Sequence, residues 1–354
     1  MEGIIYMEDG RVIKGKGLGK IGTSLGELVF NTSMTGYQEI LTDPSYGGQI
    51  ITMTYPLIGN YGVNMEFSES DKVYARGFII KSASNTPSNY KSQMSVDDML
   101  KEMGVVCVCG VDTRMITKHI RKEGALKCAI SNDGTPVEEL KKMVEAYVSD
   151  DDWMKSAGTK EVYKIEGGGA NVALVDFGVK ANIVRSLVKR DCNITVFPYG
   201  FSAEDILNGG FDGVLLSNGP GDPQKAAEAV CEIEKLIGKI PMLGICMGHQ
   251  LISLAVGGQT YKMKYGHRGG NHGVFDIQKD RGYITTQNHG YAVLEESIKD
   301  KGMVVTHRNL NDGTVEGMKH EEFPVFSVQF HPEACPGPQD SMHIFDEFID
   351  IMKG

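Results

Sequence analysis

The sequence predicts an α/β protein: a doubly wound, mostly parallel sheet in its C-terminal part, preceded by a smaller mixed α/β domain. Three observations point there. The 354 residues exceed one ordinary domain, since single cores stop growing at roughly 250–300 residues. Beyond residue 171, short apolar runs alternate with helical patterns, the mark of a parallel sheet covered on both faces. Between the two regions, Ser149-Asp150-Asp151-Asp152 and Gly167-Gly168-Gly169 bracket a polar stretch with little periodicity. The predicted organisation is therefore 1–150, a linker at 151–170, and a second domain at 171–354.

In the first domain Leu28-Val29-Phe30, Gln49–Thr54, Val73–Ile80 and Val105–Cys109 read as strands, rich in β-branched and aromatic residues. Ser95 is placed to cap a short helix, with Asp98 three residues on. Thr113–Lys122 reads as a helix closed by Gly124. Thr135-Pro136-Val137-Glu138 opens another as a capping box, running to about Val148. In the second domain strands are predicted at Val172–Asp176, Ile194–Phe197, Gly213–Leu216, Met242–Ile245, Ile284–Thr286, Val304–His307 and Val325–Gln329. Helices are predicted at Val179–Arg190, Gln224–Ile237, His249–Val256 and Met342–Met352.

Composition narrows the function. With 41% hydrophobic and 23% charged residues, disorder and fibrous architectures are excluded. No apolar run approaches the ~18–20 residues that span a bilayer, and Met1-Glu2-Gly3 does not open a secretory signal. A cytoplasmic protein without a membrane partner is expected. A net charge of −10, with no basic stripe, argues against nucleic acid. The seven cysteines form no Cys-x-x-Cys pair, and His267, His272 and His289 lack the i, i+4 spacing of a helical zinc site. No metal is expected.

The sharpest local feature is Leu243-Gly244-Ile245-Cys246-Met247-Gly248-His249-Gln250. A strand arrives, a cysteine sits between glycines two residues away on either side, and a helix leaves. This is the cysteine form of the nucleophile elbow. It holds the sulfur up at the carboxyl end of the sheet, at a helix N-terminus that favours negative charge. The other six cysteines read as small buried hydrophobes. A nucleophile needs a base and the base an orienting group, and Phe330-His331-Pro332-Glu333 offers both. Residues two apart in an extended segment point the same way, which lets Glu333 hold the imidazole of His331 while its other nitrogen faces Cys246. Ser217-Asn218-Gly219-Pro220-Gly221-Asp222-Pro223 follows a buried strand and presents rigid backbone N–H groups suited to an oxyanion. Gln287-Asn288-His289-Gly290-Tyr291 reads as a further polar turn.

Together these three motifs resemble the class I glutamine amidotransferases. The N-terminal half resembles the small-subunit family of glutamine-dependent carbamoyl-phosphate synthase. The residues that carry this second likeness are Val29-Phe30-Asn31-Thr32-Ser33-Met34-Thr35-Gly36-Tyr37-Gln38-Glu39, Leu41-Thr42-Asp43-Pro44-Ser45-Tyr46, Thr54-Tyr55-Pro56, Ile58-Gly59-Asn60 and Gly110-Val111-Asp112-Thr113-Arg114, and it continues into the second half with Asp176-Phe177-Gly178-Val179-Lys180 and Gly266-His267-Arg268-Gly269-Gly270-Asn271-His272. The resemblance implies Cys246 as nucleophile, His331 as base and Glu333 as its orienting partner. It implies an oxyanion hole from the N–H groups of Met247 and Gly219. Ser45, Gly221, Gln250, Asn288, Gly290 and Tyr291 match positions that contact glutamine, with Tyr291 where a phenylalanine is usual.

The activity implied is glutamine hydrolysis through a glutamyl thioester. Ammonia would pass through a tunnel to a large-subunit partner that makes carbamoyl phosphate, for arginine or pyrimidine synthesis, from bicarbonate and ATP. No phosphate-binding loop of the Gly-x-x-x-x-Gly-Lys-[Ser/Thr] type appears. No cofactor is therefore expected in this chain, with ATP and magnesium on the partner and the N-terminal domain as docking surface. Amidotransferases serving GMP, anthranilate or aminodeoxychorismate synthesis share the C-terminal motifs but not Asn31–Glu39. A free-standing cysteine hydrolase leaves the N-terminal domain unexplained, and a catalytically dead scaffold leaves the complete Cys, His and Glu set unexplained.

Overall fold

The structure is a computed structural model that describes residues 1–149 and 152–353. Asp150 and Asp151, at the start of the predicted linker, and Gly354 lie outside the described residues. The chain divides into two compact units, Met1–Asp150 and Asp151–Gly354.

The first unit is built on strands β1 (Glu2–Met7), β2 (Val12–Gly19), β3 (Thr23–Asn31), β4 (Gln49–Met53), β5 (Leu57–Ile58), β6 (Gly77–Ile80), β7 (Ser82–Ala83), β8 (Val106–Cys109) and β9 (Leu126–Ser131). Seven of them close into a barrel in the order β1-β2-β8-β6-β4-β3-β9, while β5 and β7 pair separately. Closure leaves no free sheet edge. The β4, β6 and β8 strands run parallel, and their apolar side chains are buried almost throughout. Helices α1 (Tyr37–Thr42), α2 (Val96–Glu102), α3 (Thr113–Glu123) and α4 (Val137–Ala146) accompany the barrel. Tyr37, Ile40, Leu41, Met99 and Leu100 of the first two pack with Val29, Ile51, Phe78 and Cys107 in one core.

Ser95 caps α2, accepting from the Asp98 N–H at 3.2 Å as expected. Thr135 does not cap α4, whose flanking residue is Pro136. Its hydroxyl is taken by Asp133 at 2.6 Å, so the helix starts at Val137 without a side-chain cap.

In the second unit, helix α5 (Trp153–Ala157) and strand β10 (Tyr163–Ile165) occupy much of the stretch read as a linker. Backbone pairing with the Asn193–Phe197 strand holds β10 despite its polar sequence. Strands β11 (Asn171–Val175), β12 (Asn193–Phe197), β13 (Gly213–Leu216), β14 (Met242–Ile245), β15 (Thr260–Asp276), β16 (Arg281–Val293), β17 (Met303–Asn309), β18 (Val315–His320) and β19 (Val325–Val328) follow. The sheet order is β10-β12-β11-β13-β14-β19-β18-β17-β15-β16. From β12 to β19 neighbouring strands are parallel, and β18, β17, β15 and β16 extend the sheet antiparallel.

Alternate strand residues feed two cores. Val172, Leu174, Leu215 and Leu243 pack against α6 (Ala181–Val188) and the C-terminal helix, which contributes Ile344, Phe345 and Phe348. Ala173, Val175, Val214, Leu216 and Met242 pack against α7 (Ala203–Asn208), α8 (Ala227–Leu236) and α9 (Met247–Ala255) on the other face. The closing helix is α10 (His343–Lys353). The Gln287–Tyr291 segment, read as a turn, lies inside β16, because β15 pairs with it across two register shifts.

Phe348 is fully buried in the α10 core. Phe348→Ala is expected to destabilise the second unit by about 3–5 kcal/mol, measured by urea denaturation of the purified chain.

Candidate active site

Strand β14 ends at Ile245 and α9 begins at Met247, so Cys246 makes the whole turn between them. Its φ of 52° is left-handed, a conformation that strains a residue carrying Cβ by about 1–3 kcal/mol. The flanking glycines follow from close packing. A Cβ on Gly248 would meet the Leu216 carbonyl oxygen at 2.3 Å, and one on Gly244 would meet the Gly248 backbone at 2.7 Å. The Cys246 N–H donates to the Val328 carbonyl at 2.9 Å and the Gly248 N–H to that of Ser217 at 3.0 Å, which ties the elbow to both neighbouring strands.

The sulfur stands at the carboxyl end of the sheet as expected, but it is enclosed there rather than reachable. Cys246 is 3% exposed, and its S–H points to the Asn288 carbonyl 3.6 Å away. Asn288 lies on β16, so that strand forms part of the sulfur's enclosure.

His331 and Glu333 meet as expected, by a different backbone. His331 forms an isolated bridge with Thr286, and the chain then turns, the Ala334 N–H donating to the His331 carbonyl at 3.1 Å. This turn, rather than an extended segment, brings His331 Nδ1 to 2.6 Å from Glu333 Oε1. Both side chains are fully buried. His331 Nε2 is left without a hydrogen bond of normal geometry among the described residues, and the Cys246 sulfur interacts with the same ring.

One participant carries no role in the sequence reading. Lys180, 1% exposed, places Nζ 3.0 Å from Glu333 Oε1 and donates to the Ala334 carbonyl at 2.6 Å. Asn182 donates to the Glu333 carbonyl and reaches Cys335 Sγ at 3.3 Å. A signal for Lys180 existed: a lysine at the N-terminal flank of a helix, here α6, opposes the helix dipole and needs another reason to be there.

These contacts set the charges. Burial pushes the His331 imidazole down, but the Glu333 carboxylate and the Cys246 sulfur outweigh it and hold the ring protonated well above its ordinary value. Burial pushes Glu333 up, but Lys180 and His331 draw it below the usual carboxylate range.

The remaining expected positions scatter. The N–H groups of Met247 and Gly219 have no acceptor among the described residues, leaving both available to an oxyanion. Gln250, 2% exposed, donates to the Tyr291 carbonyl and to Gln329 Oε1, each at 2.9 Å. Asn288 is buried, while Gly290 and Tyr291 are half-buried beside it on β16. Gly221 is exposed, with φ of 97°. Ser45 belongs to the first unit, buried in a 3-10 turn, with its N–H donating to Asp43 at 2.9 Å. The seven cysteines include no disulfide, and no helix among the described residues is long and apolar enough to cross a membrane.

Residues 173–351 match the family described as glutamine amidotransferase class-I, and residues 5–130 match the carbamoyl-phosphate synthase small chain, CPSase domain. The carbamoyl phosphate synthase small chain of Clostridium acetobutylicum is 61% identical over 351 residues, covering 99% of this chain and 100% of that one. The chain belongs to the carbamoyl phosphate synthase small chain family. The small chain of Clostridium perfringens is 52% identical, covering 99% of each chain, and that of Bacillus caldolyticus is 48% identical, covering 99% of this chain and 96% of that one. As a member, the chain is an amidotransferase subunit of a glutamine-hydrolysing ligase.

Lys180→Met leaves a buried carboxylate with one cationic partner fewer. A loss of about 3 kcal/mol in urea denaturation at neutral pH is expected. Glu333's lowered value gives stability that is fully present above its unfolded value near 4.5 and is lost as pH falls through the folded one. The pH dependence of stability over that acid window should therefore flatten in Lys180→Met; an unchanged slope would remove Lys180 from the network.

Proposed function

We propose that this chain hydrolyses glutamine at Cys246 and delivers the ammonia to a large-chain partner that makes carbamoyl phosphate. The reading rests on one observation above all: a strained elbow cysteine interacting with an imidazole whose far side is fixed by a buried carboxylate.

Cys246 sulfur, as thiolate, attacks the side-chain carbonyl carbon of glutamine. The carbonyl oxygen takes the negative charge and is held by the N–H groups of Met247 and Gly219. His331 gives its Nε2 proton to the amide nitrogen, the C–N bond breaks, and ammonia leaves, with a glutamyl thioester on Cys246. His331 then takes a proton from water, which attacks the thioester carbonyl. The C–S bond breaks, glutamate departs, and the thiolate returns. Glu333 keeps Nδ1 protonated throughout, so that Nε2 is the nitrogen that works. Gly221, Gln250, Asn288, Gly290 and Tyr291 serve the glutamine side of this scheme. Asn288 lies on β16 with its carbonyl against the sulfur, and Gln250 is bonded to the same strand at Tyr291.

ATP, magnesium and bicarbonate belong to the partner, and the first unit provides docking surface. Family membership supports this division, since the small-chain relatives are named as one component of a synthase.

Cys246→Ser is expected to abolish glutamine-dependent carbamoyl phosphate synthesis by the reconstituted complex while synthesis from added ammonia continues. Retained glutamine hydrolysis would overturn the assignment. Glu333→Gln should lower kcat/KM for glutamine by about 10²–10⁴-fold. The alkaline limb of its pH profile should move to lower pH, because His331 loses the carboxylate that raises it. A limb that stays in place would mean another group orients the ring.

A further inference from the structure

The His267 and His289 pair, too far apart in sequence to read as a ligand set, is brought together with a third residue. His267 lies on β15, His289 on β16 and Glu316 on β18. They offer ligand atoms all within 4.8 Å of one another, and all three side chains are more than nine-tenths buried. We propose that His267, His289 and Glu316 form a binding site for one divalent transition-metal ion of the zinc class, distinct from the cysteine site.

The polar contacts around the cluster aim lone pairs inward. Asp312 Oδ2 lies 2.9 Å from His267 Nε2 and accepts its proton, which leaves Nδ1 as the lone-pair nitrogen, 3.5 Å from Glu316 Oε1. The Tyr291 carbonyl lies 2.7 Å from His289 Nδ1 and accepts there, leaving Nε2 bare. A carboxylate or a carbonyl behind each imidazole is the arrangement that orients metal-binding histidines.

Two details are poorly satisfied without a cation. Both His289 nitrogens face oxygens, the Tyr291 carbonyl at Nδ1 and Gln287 Oε1 3.0 Å from Nε2, and an imidazole with a single N–H can satisfy only one of them. Turning the Gln287 amide would relieve that contact but withdraw its NH₂ from Thr285 Oγ1, 3.4 Å away. Glu316 Oε2 is buried with no hydrogen-bond donor. Its other oxygen accepts from Asn309 Nδ2 at 2.9 Å.

Two imidazoles and a carboxylate, with the Gln287 oxygen adjoining, suit a closed four-coordinate zinc site with bonds of about 2.0–2.2 Å. Small side-chain shifts bring the donors to that range. The charge fits too. Glu316 and Asp312 face the cluster, against Arg268, whose guanidinium is bonded to the Tyr265 carbonyl at 2.7 Å, and the His272 ring, 5.2 Å from that of His267. An ion there links three strands beside Asn288, whose carbonyl receives the Cys246 S–H.

The test is titration of the EDTA-treated, dialysed full chain with cobalt(II) chloride, followed by its visible d–d absorption, and zinc chloride competition. One ion per chain is expected, with the same spectrum in Cys246→Ala. Asp312→Asn, at a side chain 41% exposed and so safe for folding, should weaken binding about 10–100-fold, and Glu316→Gln should remove the d–d bands. Loss of binding in Cys246→Ala would place the ion on the catalytic thiol and overturn the proposal. Wild-type affinity in Asp312→Asn, or no stoichiometric binding to the wild-type chain, would overturn it as well.

Discussion

The site depends on a buried carboxylate having two cations to face. Glu333 is fully enclosed, and an isolated carboxylate there would take up a proton rather than stay charged. Lys180 on one side and the His331 imidazole on the other keep it ionised. An ionised Glu333 in turn keeps the ring protonated and correctly oriented. Removing Lys180 therefore acts on His331 without touching it. The row Lys180, Glu333, His331, Cys246 spans the α6 flank, the turn after β19 and the elbow after β14, so the charges of the candidate site are set by how adjacent parallel strands end.

That topology also explains the elbow. Parallel strands bring their carboxyl ends together, which is where an open α/β sheet gathers ligand-binding loops. Cys246 completes its turn in a left-handed conformation because Gly244 and Gly248 allow α9 to approach β13 and β14 with no Cβ between. Strain at the nucleophile and bare glycines beside it are two expressions of the same close packing.

Much of this was legible in the sequence. The apolar runs of β11, β13 and β14 gave their positions to within a residue, since strands buried on both faces are continuous apolar segments. The Gly-x-Cys-x-Gly pattern pointed to the elbow, and the spacing of His331 and Glu333 to their contact. What stayed hidden did so for physical reasons. The β15 strand, Thr260–Asp276, is rich in Gly, His and Asn, and its hydrophobic alternation is too weak to read. The β2 strand contains three glycines, which lowers strand propensity, yet barrel closure recruits it. The His331–Glu333 contact was foreseen with the wrong backbone, because Pro332 admits a turn as well as an extended segment. Lys180 acts only across long-range contacts, and the meeting of His267 with Glu316 depends on strand order, which no local window contains.

The enclosure of Cys246 sorts the thiols of this protein by accessibility. Cys231 lies exposed on α8, while Cys246 is buried against the Asn288 carbonyl of β16. Bulky alkylating agents meet Cys231 first. A compact electrophile shaped like the substrate's own side chain reaches the other only along the route that the substrate opens. For bulky reagents, accessibility then decides which of these two cysteines is modified.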